Sequence, residues 1–407
     1  MRFFGLARVR VCWRPVLPGL IVLLLTSACM ALQTASLSSQ TPVSIHPGQR
    51  IQDAVNRYPA GTAFLIAEGV HAQQTIYPKD RMSFIGEPGS ILDGQQVTAQ
   101  AIVAGKTQGV TVRGLRITGY VPPDSGAAVE GYGSDGWVVE NNEIDRNSNG
   151  ASRAYGIRIG GGWVLRANTI HHNGWVGIAG YRAVDSLIEG NEVYANPPDV
   201  FEDNVGEAAN IKLFECGRIT LRNNYVHDGP FLGIWLDRSQ PEMLVEGNKV
   251  LNQGDAGIWF EVGYKGVIRG NYVENAGNRG RYSSGWVSGA GIQVTNSPDV
   301  SVLDNTVANS LNGIVGQQAR GYADGPYGPS ELRNLLVQGN TIVMPRGQTG
   351  IVDNIGTNAP YVQWNNRFER NNYVLESNAR PFRWMSLNLD EWQWQAYDHR
   401  TEASFGR

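Results

Sequence analysis

The chain has 407 residues, a formal net charge of −3 and 42% hydrophobic content, enough for a large buried core, which excludes a disordered tail or a disulfide-stapled miniprotein. Glycine (50) and asparagine (32) are abundant, lysine is scarce (5), and charged residues make up only 17%. Glycine is costly inside helices and helical surfaces favour Lys and Glu, so a helix bundle is excluded. With near-balanced charge and no basic run in the body, nucleic acid is not an expected partner.

At the N-terminus, Arg2, Arg8, Arg10 and Arg14 precede an apolar run from Val16 to Leu25 that ends in Leu25-Thr26-Ser27-Ala28-Cys29. This pattern predicts an export signal over 1–28. The last five residues resemble the lipobox of bacterial lipoproteins, which implies cleavage before Cys29, acylation of its thiol and a lipid anchor in the cell envelope. An ordinary signal peptide cut nearby would give secretion instead, and the run is shorter than the roughly 20 residues a membrane span needs. Residues 29–42, rich in Ser, Thr and Gln, read as a flexible tether. Without the leader, 30 basic groups face 37 acidic ones, so an anionic ligand would need local cations or a bound metal. Of the three cysteines, Cys12 leaves with the signal, Cys29 carries the lipid and Cys216 is expected as a small buried apolar residue.

Ile51–Arg57 has the pattern of a short amphipathic helix, placed to cap a solenoid. Segments Phe64–Gly69 and Met82–Gly94 read as opening coils. From about residue 110, two short patterns alternate. One is a β-rich run closing on Asn-x-Val/Ile, with asparagines at 142, 168, 191, 224, 248, 271, 305 and 340. The other is Gly-Ile, starting at Gly156, Gly177, Gly233, Gly257, Gly291, Gly313 and Gly350, with Asn210-Ile211 as a variant. The asparagine steps are 26, 23, 33, 24, 23, 34 and 35, a base period of 23 with insertions of about ten. Short strands of this kind cannot bury their own apolar faces. Stacking does so, and it gives Asn a tight corner and an amide partner in the next coil.

These repeats resemble the right-handed parallel β-helix of the pectin-lyase-like superfamily over residues 45 to 375. The resemblance implies an all-β, single-domain solenoid of about ten or eleven coils, over 43–378, with strands about 4.8 Å apart. It implies no particular reaction. The Asn-Thr-Asp, Asp-Asp and His-Gly set of polygalacturonases and the Asp-Pro-His of mannuronan epimerases are missing. Gly233–Ser239 is similar to the Trp-Ile-Asp-His segment of pectate lyases, but Arg238 stands in place of the His, so no role carries over.

Register then defines an outward face. In Gly-Ile-x-h-x the two x positions form columns. The first reads Arg158, Ala179, Lys212, Trp235, Trp259, Gln293, Val315 and Val352; the second reads Gly160, Tyr181, Phe214, Asp237, Glu261, Thr295, Gln317 and Asn354. Aromatic faces beside acids and amides suit sugar rings, so Arg158, Tyr181, Phe214, Trp235, Trp259 and Gln293 are expected to bind a polysaccharide or oligosaccharide. Three inserts surround this patch: Pro197 to Ala209 with Glu202, Asp203 and Glu207; Gly277 to Ala290 with Arg279, Arg281, Tyr282 and Trp286; and Gln318 to Glu331.

Lys212, Asp237 and Glu261 are the catalytic candidates. Asp237 and Glu261 lie one coil apart, so each should raise the other's pKa, as an acid and base or nucleophile for glycoside cleavage require. Alternatively Lys212 abstracts a proton beside a uronate carboxylate, for elimination or epimerisation, with Arg158 stabilising the enolate and Ca²⁺ assisting. Glu202, Asp203 and Glu207 are oxygen ligands of the type Ca²⁺ takes. The competing reading is a non-catalytic glycan-binding surface protein in which Lys212 bridges Glu207 or Asp237 as a buried ion pair. His171 and His227 share a register on another column and are expected as exposed turn residues. Residues 379–407 form a C-terminal cap in which Trp384, Trp392 and Trp394 plug the last coil.

Overall fold

The segments with alternating apolar residues are too short to bury themselves, and they stack into three parallel sheets in a computed structural model that describes residues 41–148, 150, 153–196, 208–277, 288–375, 379–397 and 404–406. The first sheet has thirteen strands, from Val43–Ile45 to Arg367–Glu369. The second also has thirteen, from Gly69–Ala72 to Ser404–Gly406, and the third twelve, from Ile102–Val103 to Phe382–Trp384 with Leu387–Leu389 antiparallel at its edge. Each strand pairs with its counterparts one coil above and below, so the chain is the expected parallel β-helix. It runs beyond the coils marked by the repeat, because the opening and closing coils keep the alternation without the Asn or Gly-Ile signature. The helix Ile51–Arg57 buries Ile51 and Val55 at the N-terminal end.

The core is a stack of like residues. Ile157, Ile178, Ile211, Ile234, Ile258, Ile292 and Ile314 succeed one another in register along the third sheet, all fully buried. The eight repeat asparagines, Asn142 through Asn340, are all buried and form one ladder that continues to Asn371. In each step the Oδ1 of one Asn accepts from the backbone N–H and side-chain amide of the Asn one coil earlier; Asn224 and Asn248, at 3.0 and 2.9 Å, are typical. The left-handed corner is taken by the residue before the ladder, as at Asn141, Gly190, Asn223 and Gly247, rather than by the ladder asparagine itself. The ladder side chain therefore points inward, satisfying backbone groups that a corner would otherwise orphan. A second ladder runs beside it in the early coils, through Asn147, Asn173 and Asn196, each five residues after a first-ladder asparagine, and then through Asn210 to Gln253.

Outward columns of the first sheet carry alternating charge: Arg166 on Glu140, Arg222 on Glu189 and Arg269 on Glu246, at 2.6 to 2.7 Å. With their arginines in solvent such pairs contribute modest stability, but a slip of one residue would break all of them together. One register expectation is corrected. Val315 pairs with Gly350 and Gln317 with Val352, so Val352 and Asn354 fall two residues out of the columns. Thr349, not Ile351, continues the isoleucine stack, its hydroxyl bonding both the N–H and C=O of Ile314.

Trp384 and Trp394 close the last coil: Trp394 stacks on Phe382, meets Phe368 and Trp384 edge to face, and donates to the Tyr373 hydroxyl. Trp392 is 81% exposed and takes no part in the plug, because the capped turn Glu391–Trp394 turns its side chain to solvent. Among the described residues no helix is long and apolar enough to cross a membrane. The signal segment, Cys29 and the tether to residue 40 lie outside the described residues.

A cleft on the third sheet as the candidate functional site

The two outward columns occupy the third sheet in the expected register. Arg158, Ala179, Lys212, Trp235, Trp259 and Gln293 succeed one another, and beside them run Tyr181, Phe214, Asp237, Glu261 and Thr295. The small outward residue Ala179 leaves a hollow between the cations of Arg158 and Lys212. The resulting cleft, about 380 Å³, is lined by Arg153, Arg158, Trp175, Tyr181, Lys212, Phe214 and Asp237 among others.

Lys212 sits at the end of this cleft. Its Nζ lies 3.5 Å from Asp237 Oδ2 and 3.5 Å from the centre of the Trp235 ring. A carboxylate and an indole face both suit an ammonium group. Each of the other two cations is also partnered: Arg158 Nε donates to Glu130 Oε1 at 2.6 Å, and Arg153 forks onto Asp124 while lying over the Trp175 ring.

Glu261 is placed differently from Asp237. It is 6% exposed and both of its oxygens are engaged: Tyr322 Oη donates to Oε1 at 2.6 Å and Trp235 Nε1 to Oε2 at 2.9 Å. Burial pushes its pKa up and the negative charge of Asp237 adds to this, while the Tyr322 and Trp235 hydrogen bonds and the Lys212 charge oppose it. The upward direction agrees with the sequence expectation, but desolvation is the larger cause. Burial, then the Glu261 hydrogen bond, also raises the Tyr322 phenol, which favours its role as donor.

The aromatic floor differs in a second respect. Trp235 and Trp259 stack on each other, 5.2 Å apart and nearly parallel, and Lys212 covers the other face of Trp235, which is 5% exposed. Tyr132, Tyr181 and Phe214 form a similar stack, with ring centres 5.8 and 5.9 Å apart. Aromatics at equal positions on successive coils must lie face to face, so most of their faces are spent on one another. Trp259 instead donates its Nε1 to Thr295 Oγ1, and buried Gln293 donates to Thr295 and Gln317. Thus Arg158, Tyr181, Lys212, Phe214 and Asp237 meet at the cleft, while Trp235, Trp259, Glu261 and Gln293 form its covered flank.

Several contributors escaped the sequence reading. Glu130 extends the first column by one coil, pairing with Arg158 in register, but its strand Ala127–Glu130 lacks Gly-Ile. Tyr322 belongs to the insert Gln318–Glu331, whose composition marked a wall but gave no register. The inserts carrying Glu202, Asp203 and Glu207, and Arg279, Arg281, Tyr282 and Trp286, lie outside the described residues.

On the second sheet, His171, Tyr194 and His227 form a continuous ring stack, 4.7 Å per step. His171 is buried rather than exposed, because the coils on either side cover its faces. Glu143, Asp145 and His171 bring donor atoms within 4.8 Å of one another, a set that could hold a metal ion. Asp145, however, already accepts from Arg116 and Arg146, and these guanidiniums compete with a cation there.

A parallel β-helix with an ionic cleft on one outer face defines the class of the molecule. The family described as right handed beta helix region matches residues 100–210 and 200–342, and the chain belongs to it. Among curated proteins none matches the sequence. The A-module of the Azotobacter vinelandii mannuronan C-5 epimerase AlgE6 is similar in structure, with a TM-score of 0.59 at 13% identity over 88% of this chain and 93% of that one. A mannuronic acid specific polysaccharide family 6 lyase from human gut microbiota gives 0.58 at 14% identity, over 83% and 81%. XylC in complex with xylose gives 0.55 at 14%, over 80% of both chains. At these identities the likeness is one of fold.

Proposed function

We propose that the protein is an exported carbohydrate-active enzyme that acts on an acidic polysaccharide in the cleft of the third sheet. The observation that carries this is the Lys212–Asp237 contact at the end of a cleft with two further cations, Arg153 and Arg158. Three cations line the cleft against one carboxylate, and although Glu130 and Asp124 pair Arg158 and Arg153 from outside the lining, a uronate can exchange for these partners where a neutral sugar cannot. The epimerase and lyase names of the structural neighbours are consistent with such a substrate.

Closure of Glu261 beneath Tyr322 and Trp235 favours proton abstraction over hydrolysis by an Asp237–Glu261 pair, since a nucleophile or general acid must reach the glycosidic bond. Lys212 would hold the substrate carboxylate, and Asp237 would take the proton from the adjacent carbon. The electron pair then delocalises into the carboxylate beside Lys212. It returns either to expel the glycosidic oxygen on the next carbon, which leaves with a proton from water and gives an unsaturated end, or to collect a proton from water on the opposite face. Glu261 acts as a positioning residue for Trp235 and Tyr322.

A panel of acidic and neutral polysaccharides, read by ultraviolet absorbance of unsaturated ends, reducing ends and deuterium uptake from heavy water, tests this. Lys212→Met and Asp237→Asn should abolish the reaction and Glu261→Gln should retain most of it. New reducing ends without unsaturation or deuterium uptake would favour hydrolysis instead.

The second reading, a non-catalytic glycan-binding surface protein, is favoured by one observation: each charged group lining the cleft already has a partner. Retention on a glycan with no product from any polysaccharide would select it. In either reading an export leader over 1–28 would carry the protein out of the cytoplasm, to stay at the cell envelope if Cys29 is acylated and to be secreted if it is not. Cys29→Ser should release it from the membrane fraction.

A further inference from the structure

The cleft is closed along the solenoid axis at both ends, and this bears on how a polymer can enter. Its lining runs from the strand of Arg158 to that of Asp237, three coil steps or about 14 Å. One coil further, Glu261 is held under Tyr322 of the insert Gln318–Glu331. Beyond it Gln293, Thr295 and Val315 are buried, so the outward columns offer no floor there. Tyr264 secures the same insert, donating to the Gly328 carbonyl and accepting from the Gly325 N–H.

At the opposite end the outward column is buried again at Glu130, which Arg158 covers. Arg158 Nη1 also donates to the Ser125 carbonyl, and the Asp124–Arg153 pair binds that turn to the next coil. A polysaccharide lying along the axis would have to break one of these closures. Both are built from charge-assisted hydrogen bonds at 2.6 Å.

We propose that the cleft is a chain-end pocket, which takes the terminal sugars of an acidic polysaccharide and excludes internal stretches of the chain. This rests on the functional reading above and adds the mode of attack: products leave from one end, and the polymer shortens without being cut in the middle.

Binding stoichiometry tests this without requiring turnover. The Asp237→Asn protein is titrated calorimetrically with size-fractionated mannuronan and polygalacturonate, and protein bound per chain is plotted against chain length. One protein molecule per chain at every length is the expected result. A number that rises in proportion to length would overturn the chain-end pocket and leave the functional reading standing. No binding of either polymer, together with no reaction of the wild type across the polysaccharide panel, would overturn the functional reading and the pocket with it.

Discussion

Glu261 separates the effect of a buried charge from that of the hydrogen bonds it accepts. Its two oxygens serve two donors, Trp235 Nε1 and Tyr322 Oη, and it is almost fully buried. Glu261→Gln can satisfy both. The amide oxygen accepts from Trp235, and the amide NH₂ donates to a Tyr322 hydroxyl that changes from donor to acceptor. With no polar atom orphaned and no charge buried, the change in stability should stay within about 1 kcal/mol. Glu261→Ala strands both partners. At about 1–3 kcal/mol for each unsatisfied buried group, with half-buried Tyr322 partly rescued by water, the loss should be about 2–4 kcal/mol.

The pH dependence follows from the raised pKa. Between the ordinary glutamate value and the raised one, the folded state holds a proton that the unfolded state has lost. The contribution of Glu261 to stability therefore falls as pH rises through that window, and the ionised form above it is the less favourable one. Urea midpoints of wild type and Glu261→Gln, compared at a series of pH values, isolate this group from the other carboxylates. The difference should move in favour of the Gln variant as pH rises. A pH-independent difference, or a Gln variant as unstable as the Ala variant, would refute the assignment of the strain to buried charge.

Asn248→Ala removes an amide that donates to Leu221 O and Asn271 Oδ1 and accepts from the Asn224 N–H and amide. It should cost about 3 kcal/mol or more by urea denaturation, whereas Asn252→Ala, at a half-buried left-handed corner where the amide donates to Asp228 and accepts from Asn275, should cost less, about 1–2 kcal/mol. Gly233→Ala should lower the melting temperature by several degrees, since a Cβ there would overlap the Gly257 carbonyl oxygen and come within 2.8 Å of Val250 Cγ1. Burial pushes the Cys216 thiol up to about 12, so it should resist a thiol reagent at neutral pH in the folded protein and react on unfolding.

What the sequence made legible is what repeats. The isoleucine stack, the asparagine ladder and the two outward columns each recur every coil, so one register argument placed dozens of residues. The ladder beginning at Asn147 was available to the same reasoning, because Asn147, Asn173 and Asn196 each follow a first-ladder asparagine by five residues. Register failed at Gly350, where an identical Gly-Ile pair sits two residues out of phase after an insert; only the backbone pairing with Val315 distinguishes the two placements. Contacts made by an insert had no period to betray them, so Tyr322 could not be assigned to Glu261. The tryptophans do occupy the outward column, but how little of their faces is left free was open to inference and was missed. Stacked repeats bring like rings face to face, and a ladder of aromatics shows a ligand mainly edges.

The same regularity accounts for the position of the site. Stability in a solenoid comes mostly from nearest-neighbour interfaces, and here the inner isoleucines and the asparagine ladder supply them continuously through every coil of the cleft. The outer face of the third sheet is thereby released from structural duty. It can hold groups that folding alone would disfavour: a lysine on an indole, a buried glutamate with a raised pKa, and a gap at Ala179. Elsewhere the outward columns carry Arg–Glu pairs that neutralise each other on adjacent strands. Over the coils of Arg158 to Asp237, by contrast, the repeat gives way to a hollow lined by three cations, one acid and the rings of Trp175, Tyr181 and Phe214. That departure from the repeat is the physical reason for placing the chemistry there.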